Sequence, residues 1–263
     1  MSLISRVIAT PAWKVFAQYY YPFLTRHGAD DVAFLNLGYE ESPPMAVPLS
    51  ASDETDRYCI QLYHRVATQT DLTGKKVLEV SCGHGGGASY LVRSMRPASY
   101  TGLDLNPAGI AICRKTHQLP GLEFVCGDAE NLPFDDGSFD AVVNVEASHC
   151  YPSLPRFFAE AARVLRPGGH LLYTDVRRFD HYAEWESALT DAPMRMAGKE
   201  IISENVVRGL MKSLPRSQHM FTRRTPPLLH GPVRAAVAAS NAKICRGLQT
   251  GETSYRMYCL VKD

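Results

Sequence analysis

The chain has no run of about 18 apolar residues, the length a helix needs to cross a bilayer. Its first residues also lack the apolar core of a secretion signal. Excess charge of either sign is missing: 28 Lys and Arg stand against 27 Asp and Glu. Proteins that grip nucleic acid by neutralising phosphates ordinarily carry a basic excess, so a nucleic-acid partner is not expected. The seven cysteines form no C-x-x-C pair, which removes the common zinc spacing, and no metal site is expected. Their odd number and wide scatter fit a reducing cytoplasm better than a disulfide framework. Internal repeats and low-complexity tracts are absent too. What is present is an ordinary globular composition, 45% hydrophobic and 21% charged over 263 residues. That length suits one α/β unit with an insertion.

Residues 1–70 read as an N-terminal helical extension. An aromatic cluster at helical spacing (Trp13, Phe16, Tyr19, Tyr20, Tyr21 and Phe23) is punctuated by Pro22 and then by Glu41-Ser42-Pro43-Pro44. That cluster suits core packing, a lid over an apolar ligand, or contact with a membrane surface. A helix follows over 53–69, with Tyr58, Leu62 and Val66 four residues apart. The rest, 71–263, is expected to form the main domain. Short apolar strands at Lys76–Val80, Ser99–Leu105, Leu122–Cys126, Ala141–Val145 and Leu171–Thr174 alternate with helical segments, the pattern of a parallel sheet with right-handed crossovers. Residues 181–250 lose that rhythm and read as a mostly helical insertion. Its helices are Ile201–Leu214 and Val233–Leu248, on either side of Thr225-Pro226-Pro227. Ser254–Val261 supplies a last strand at the sheet edge. Arg177, Arg178, Arg223 and Arg224 suit either acidic head groups or plain solvated surface.

The most informative stretch runs from Val77 to Leu91: a buried strand, the turn Ser81-Cys82-Gly83-His84-Gly85-Gly86-Gly87, and a helix start. Glycine lets the backbone take positive φ and lets a ligand approach the main chain with no Cβ in the way. Such a turn also occurs with no ligand, so it does not decide the matter alone. Gly102-Leu103-Asp104 ends the second strand roughly 20 residues on, where a carboxylate grips ribose hydroxyls. Gly127-Asp128-Ala129 follows the third strand and places a second acid near an adenine amino group. Three strand ends facing one crevice make a nucleoside site at the carboxyl edge of the sheet.

Together, Glu79 to Gly87, Gly102-Leu103-Asp104, Gly127-Asp128-Ala129 and Val164-Leu165-Arg166-Pro167-Gly168-Gly169 resemble the successive motifs of class I S-adenosylmethionine-dependent methyltransferases. The resemblance implies a doubly wound α/β fold with a seven-stranded, mostly parallel sheet and a reversed final hairpin. N-terminal helices and the helical insertion before the last strands complete it. AFLNLGYEESPP, LEVSCGHGGGASYL, PASYTGLDLN, GDAENLPFDDGSFDAVVNVEASHCYP and SYRMYCLVKD are more specifically similar to the mycobacterial phthiotriolone/phenolphthiotriolone dimycocerosates methyltransferases. That likeness runs from about residue 18 to 213 and resumes near 250. Carried across, it implies S-adenosylmethionine as cofactor. Gly83 and Gly85 would lie against its methionine end, with Glu79 ordering the turn and Ser81 and Asn144 close by. Asp104 and Leu105 would hold the ribose, and Asp128 and Ala129 the adenine.

Methyl transfer from a sulfonium is an in-line displacement, so the protein must mainly position the acceptor and exclude water. A hydroxyl acceptor also gains from a base. His149, just past the fourth strand, is the candidate base, since an unperturbed imidazole is largely neutral near pH 7. It equally suits a hydrogen bond to a loop carbonyl. Glu146 suits orienting that imidazole, binding the acceptor, or capping the next helix. The implied reaction is O-methylation of a hydroxyl on a hydrophobic, lipid-like acceptor by a cytoplasmic protein whose sequence admits peripheral membrane contact. Alternatives are a fatty-acid carboxylate or hydroxyl, a glycopeptidolipid sugar, a carbon acceptor, or a protein that binds S-adenosylmethionine without catalysis.

Overall fold

The computed structural model describes residues 32–223 and 225–263. The aromatic cluster from Trp13 to Phe23, the helices expected there and Arg224 lie outside the described residues.

Seven strands form one sheet in the order β3-β2-β1-β4-β5-β7-β6. They are β1 (Lys76–Val80), β2 (Ser99–Asp104), β3 (Leu122–Cys126), β4 (Phe139–Val145), β5 (Leu165–Arg178), β6 (Arg195–Ile201) and β7 (Thr253–Val261). The first five pair in parallel, and β7 runs antiparallel between β5 and β6. The chain thus winds outward from β1 through β2 to β3, then returns to place β4 on the other side of β1. That reversal opens a crevice at the carboxyl ends of β1 and β4, where ligands of open α/β sheets bind.

Alternation along the strands sorts side chains into two cores. Val77, Ala141, Val143, Leu172 and Met257 face one layer, and Leu78, Val142, Leu171, Tyr173 and Tyr258 face the other. The first layer holds α1 (Arg57–Ala67), α2 (Gly86–Met95) and α3 (Pro107–Thr116). The second holds α4 (Leu154–Val164) and α5 (Tyr182–Thr190). α1 turns Ile60, Leu62, Tyr63 and Val66 inward. α3 starts where the Asn106 side chain accepts from the Ala108 N–H, with Pro107 at its first position. α4 starts in the same way on Ser153 and buries Phe157 and Phe158 completely. Truncating either ring would cost about 3–5 kcal/mol.

The expected insertion is not wholly helical, because β6 lies within it. Its residues, Arg195-Met196-Ala197-Gly198-Lys199-Glu200-Ile201, are mostly exposed on both faces, so this edge strand shows no apolar alternation to read. Ile201 therefore ends a strand rather than opening a helix. α6 (Ser203–Lys212) follows, then α7 (Leu214–Thr222) and the long α8 (His230–Thr250). No helix among the described residues is long and apolar enough to cross a membrane.

Residues 32–41 form an irregular strap across the crevice. His84 Nδ1 bonds the Val32 carbonyl at 2.7 Å, and the Gly86 N–H reaches the Ala33 carbonyl. At the other end the Leu37 N–H donates to Glu146.

Candidate active site

The turn after β1 holds three residues at positive φ: Ser81 at 61°, Gly83 at 58° and Gly85 at 78°. The glycines differ in what they serve. A Cβ on Gly85 would meet the His117 and Phe124 rings at 2.8 and 2.9 Å, and one on Gly87 would sit 2.0 Å from Tyr63. Those positions answer to packing. At Gly83 only Leu35 of the strap comes within 4 Å, at 3.6 Å, so the backbone there faces open space.

Asp104 ends β2 directly beside this turn. Its Oδ2 accepts from the Gly83 N–H at 2.9 Å and its Oδ1 from the Asn106 N–H at 2.9 Å. Burial raises its pKa, and the backbone donors work against that. Leu105 follows, half-buried. Asp128 accepts from the Glu130 N–H at 3.0 Å and so shapes its own loop, while Ala129 is buried against the second core. The structure thus brings Gly83, Asp104, Asp128 and Ala129 to successive strand ends along one edge.

Glu79 stands further back. It is buried, and its two oxygens accept from Tyr63 at 3.0 Å and Tyr100 at 2.8 Å. It therefore ties α1 and β2 to β1 beneath the turn. Burial pushes its pKa up to about 7.

Asn144, at the end of β4, is fully buried. Its amide donates to the Val80 carbonyl at 2.9 Å and to the Tyr151 hydroxyl at 2.8 Å, and that hydroxyl also meets Ser81 at 2.6 Å. Its Oδ1 has no partner among the described residues. A buried acceptor left unsatisfied costs about 1–3 kcal/mol, and a ligand N–H removes the cost. The ammonium of S-adenosylmethionine is such a donor. Together with the open Gly83, this atom makes the residues present fit the cofactor.

His149 lies beyond β4 on a short turn. Its Nδ1 bonds Asp175 Oδ1 at 2.8 Å, and its own N–H donates to Asp175 Oδ2 at 2.8 Å. Asp175, in β5, is fully buried; it also accepts from Ser148 at 2.6 Å and pairs with Arg177 at 3.0 Å. Burial alone would raise its pKa, but Arg177 and His149 outweigh that and hold the carboxyl well below its ordinary range. Burial likewise works against a charged His149, and the Asp175 carboxylate overrides it to raise the imidazole well above its usual value.

Glu146 has φ 52° and does not orient that ring. Its Oε2 accepts from the Leu37 N–H at 2.9 Å and from the Tyr255 hydroxyl at 2.7 Å, and burial pushes its pKa up to about 7. It fastens the strap to β4 and β7. The orienting role belongs to Asp175, a residue not singled out in the sequence. Its signal was the one that marked Asp104, an acid directly after an apolar strand run. Arg177 is not solvated surface either: it is nine-tenths buried, with its guanidinium 5.0 Å over Trp185. Arg178 does stay outside, paired with Asp180 and Glu252. A cavity of about 240 Å³ lies at the opposite, amino edge of the sheet, among Lys75, Asp140, Arg166 and His170, away from all these groups.

Comparison with known proteins points the same way. A family described as a methyltransferase domain matches residues 78–173. The phthiotriol/phenolphthiotriol dimycocerosates methyltransferase of Mycobacterium tuberculosis is 54% identical over 263 residues, all of this chain and 97% of that one. The match therefore continues through residues 214–248, where no likeness had been recognised. A fatty-acid O-methyltransferase of Mycolicibacterium smegmatis is 55% identical over 239 residues, 89% of this chain and 84% of that one. Among solved structures, the [4+2]-cyclase SpnF shares the fold at a TM-score of 0.70 and 22% identity, covering 97% of each chain. A geranyl diphosphate C-methyltransferase from Streptomyces coelicolor, solved with S-adenosyl-L-homocysteine, gives 0.64 and 16%, covering 97% of this chain and 99% of that one.

Proposed function

We infer, for a chain that belongs to the family of the phthiotriol/phenolphthiotriol dimycocerosates methyltransferases and so is an S-adenosylmethionine-dependent methyltransferase, that it methylates a hydroxyl on a large lipid-like acceptor with His149 as base. The observation that carries this reading is the His149–Asp175 pair at the crevice, across from the turn that takes the cofactor. A carboxylate acceptor is already ionised near pH 7 and needs no base; a hydroxyl does. The pair therefore favours the alcohol chemistry of a triol lipid over the carboxylate chemistry of a free fatty acid, although relatives of both kinds are equally similar.

The cofactor supplies a methyl group on a sulfonium, a leaving group that needs no protonation. Gly83, Ser81 and Asn144 would hold its methionine end, Asp104 with Leu105 its ribose, and Asp128 with Ala129 its adenine. Glu79 and Gly85 keep the turn in shape. Asp175 accepts the hydrogen bond from Nδ1–H and so leaves Nε2 as the basic nitrogen. The Asp175 carboxylate also raises the imidazole well above its usual value, so the neutral form that can accept the acceptor's proton is reached as pH rises. Glu146 and the strap exclude water from the crevice.

The test is turnover with a long-chain diol and with a fatty acid of equal length, for the wild type and His149→Ala. Loss of diol methylation with S-adenosylhomocysteine affinity intact supports the reading. Diol turnover that survives the substitution would overturn it.

A further inference from the structure

The near-neutral charge of the chain conceals a strong division. From Asn205 to Gly251, 47 residues, there is no Asp or Glu, while eight of the chain's 28 Lys and Arg fall there. The rest therefore carries 20 basic residues against 27 acidic ones. This stretch covers most of α6, then α7 and α8, and the last two pack as a hairpin joined by the Gln218 side chain donating to the Arg234 carbonyl at 3.2 Å.

Part of the hairpin's charge is compensated at its base. Near the sheet, Lys212 pairs with Glu40 and Arg216 with Asp56, acids supplied by the strap and the turn before α1. Along α8, Arg234 near the turn and Lys243 and Arg246 near the end that meets the sheet are exposed and make no ion pair among the described residues. The tip also exposes large apolar side chains: Leu228 at 89%, Phe221 at 49% and Leu229 at 47%. Exposed Arg223 and Arg234 flank them. Apolar side chains standing out of a basic surface are the composition of an element that inserts at an anionic lipid interface. A second copy of this face would repel the first, and nucleic acid offers nothing to Leu228 and its neighbours.

We propose that the α7–α8 hairpin is a docking surface for anionic phospholipid membranes, with Phe221, Leu228 and Leu229 entering the head-group region and the basic residues meeting the phosphates. The base of the hairpin also carries Arg216, which donates to the Phe34 carbonyl of the strap at 3.2 Å. The membrane-bound face is thus joined directly to the segment that covers the crevice, where a lipid acceptor leaving the bilayer would arrive.

The experiment is vesicle cosedimentation with phosphatidylcholine alone and with phosphatidylcholine containing 30% phosphatidylglycerol, at low and high salt. Wild type is expected to pellet with the anionic vesicles and to be released by salt. Arg223→Gln and Arg234→Gln should each weaken partition roughly fivefold. Leu228→Ser with Leu229→Ser should weaken it about tenfold or more. Each variant is first shown to bind S-adenosylhomocysteine like the wild type, which separates a lost surface from a lost fold. Equal binding of wild type to both kinds of vesicle overturns the proposal, and so does partition unchanged in correctly folded variants. Preferential, salt-sensitive binding to an RNA homopolymer through the same residues would also overturn it, assigning the face to nucleic acid.

Discussion

The two halves of the crevice are built by different means. The cofactor half, from β1 to β3, is made by backbone: positive φ at Ser81, Gly83 and Gly85, and carboxylates spent on main-chain N–H groups, as Asp104 is on Gly83 and Asn106. The half proposed to take the acceptor, past β4 and β5, is made by buried side-chain charge, with Asp175 holding His149, Ser148 and Arg177. A backbone site is set by local sequence and resists change in shape. A charge site depends on groups far apart in the chain, and each of them tunes the others. Two acids, Glu146 half-buried just past β4 and Asp175 fully buried in β5, show the consequence. Glu146, with only neutral donors, is raised to about 7, whereas Asp175, with two cationic partners, is depressed.

The sharpest break in that comparison is Asp175→Asn. It should lower kcat by about 10²–10⁴ and leave S-adenosylhomocysteine affinity within about twofold. His149 faces Asp175, Cys150 and Glu146, and its pKa is raised mainly through the Asp175 carboxylate, so activity should rise with pH through that raised value. In the asparagine variant the residual rising limb should move to lower pH, which a pH–rate profile resolves.

Next in size, Asp104→Ala should weaken cofactor binding about 10–100-fold in calorimetry, as expected for lost hydrogen bonds to a charged group. If kcat at saturating cofactor fell as far as in Asp175→Asn, the two halves would not be separable. Third, Gly87→Ala should cost about 1–3 kcal/mol in denaturant unfolding, because the new methyl meets Tyr63, a packing contact rather than a ligand contact.

The smallest effect is expected from Glu146→Gln. Because the folded-state pKa of Glu146 lies above its unfolded value, its ionisation removes stability as pH rises from about 4.5 to about 7. Glutamine still accepts from Leu37 and Tyr255 without ionising. The variant should match the wild type near pH 5 and exceed it by about 1 kcal/mol near pH 8, partial exposure reducing the full linkage.

The cofactor half was also the half that could be read from sequence, for the same physical reason. Gly83, Asp104 and Asp128 each sit within a few residues of a strand end, and strand ends announce themselves by apolar runs. Glu146, by contrast, meets Leu37 and Tyr255, each 109 residues away. No local pattern records such a meeting, so from sequence Glu146 suits its neighbour His149, the acceptor or a helix cap, and not the strap. The glycines mislead in the other direction. Gly85 to Gly87 look as ligand-facing as Gly83, but only the position of Tyr63, Ala33 and Phe124 in space reveals that they leave room for protein atoms. β6 escaped because an exposed edge strand has no buried face to impose a pattern.

The strap has a consequence for tempo. Its ties to His84, to Gly86 and to Glu146 bridge both lips of the crevice, so release of spent cofactor and methylated product should wait until these let go. Breaking three hydrogen bonds at once is slower than breaking one. The first turnover should therefore outrun those that follow, giving a burst equal to the number of active sites before a slower steady rate sets in. Loosening the tie at Glu146 should shrink that burst and shorten the residence of S-adenosylhomocysteine.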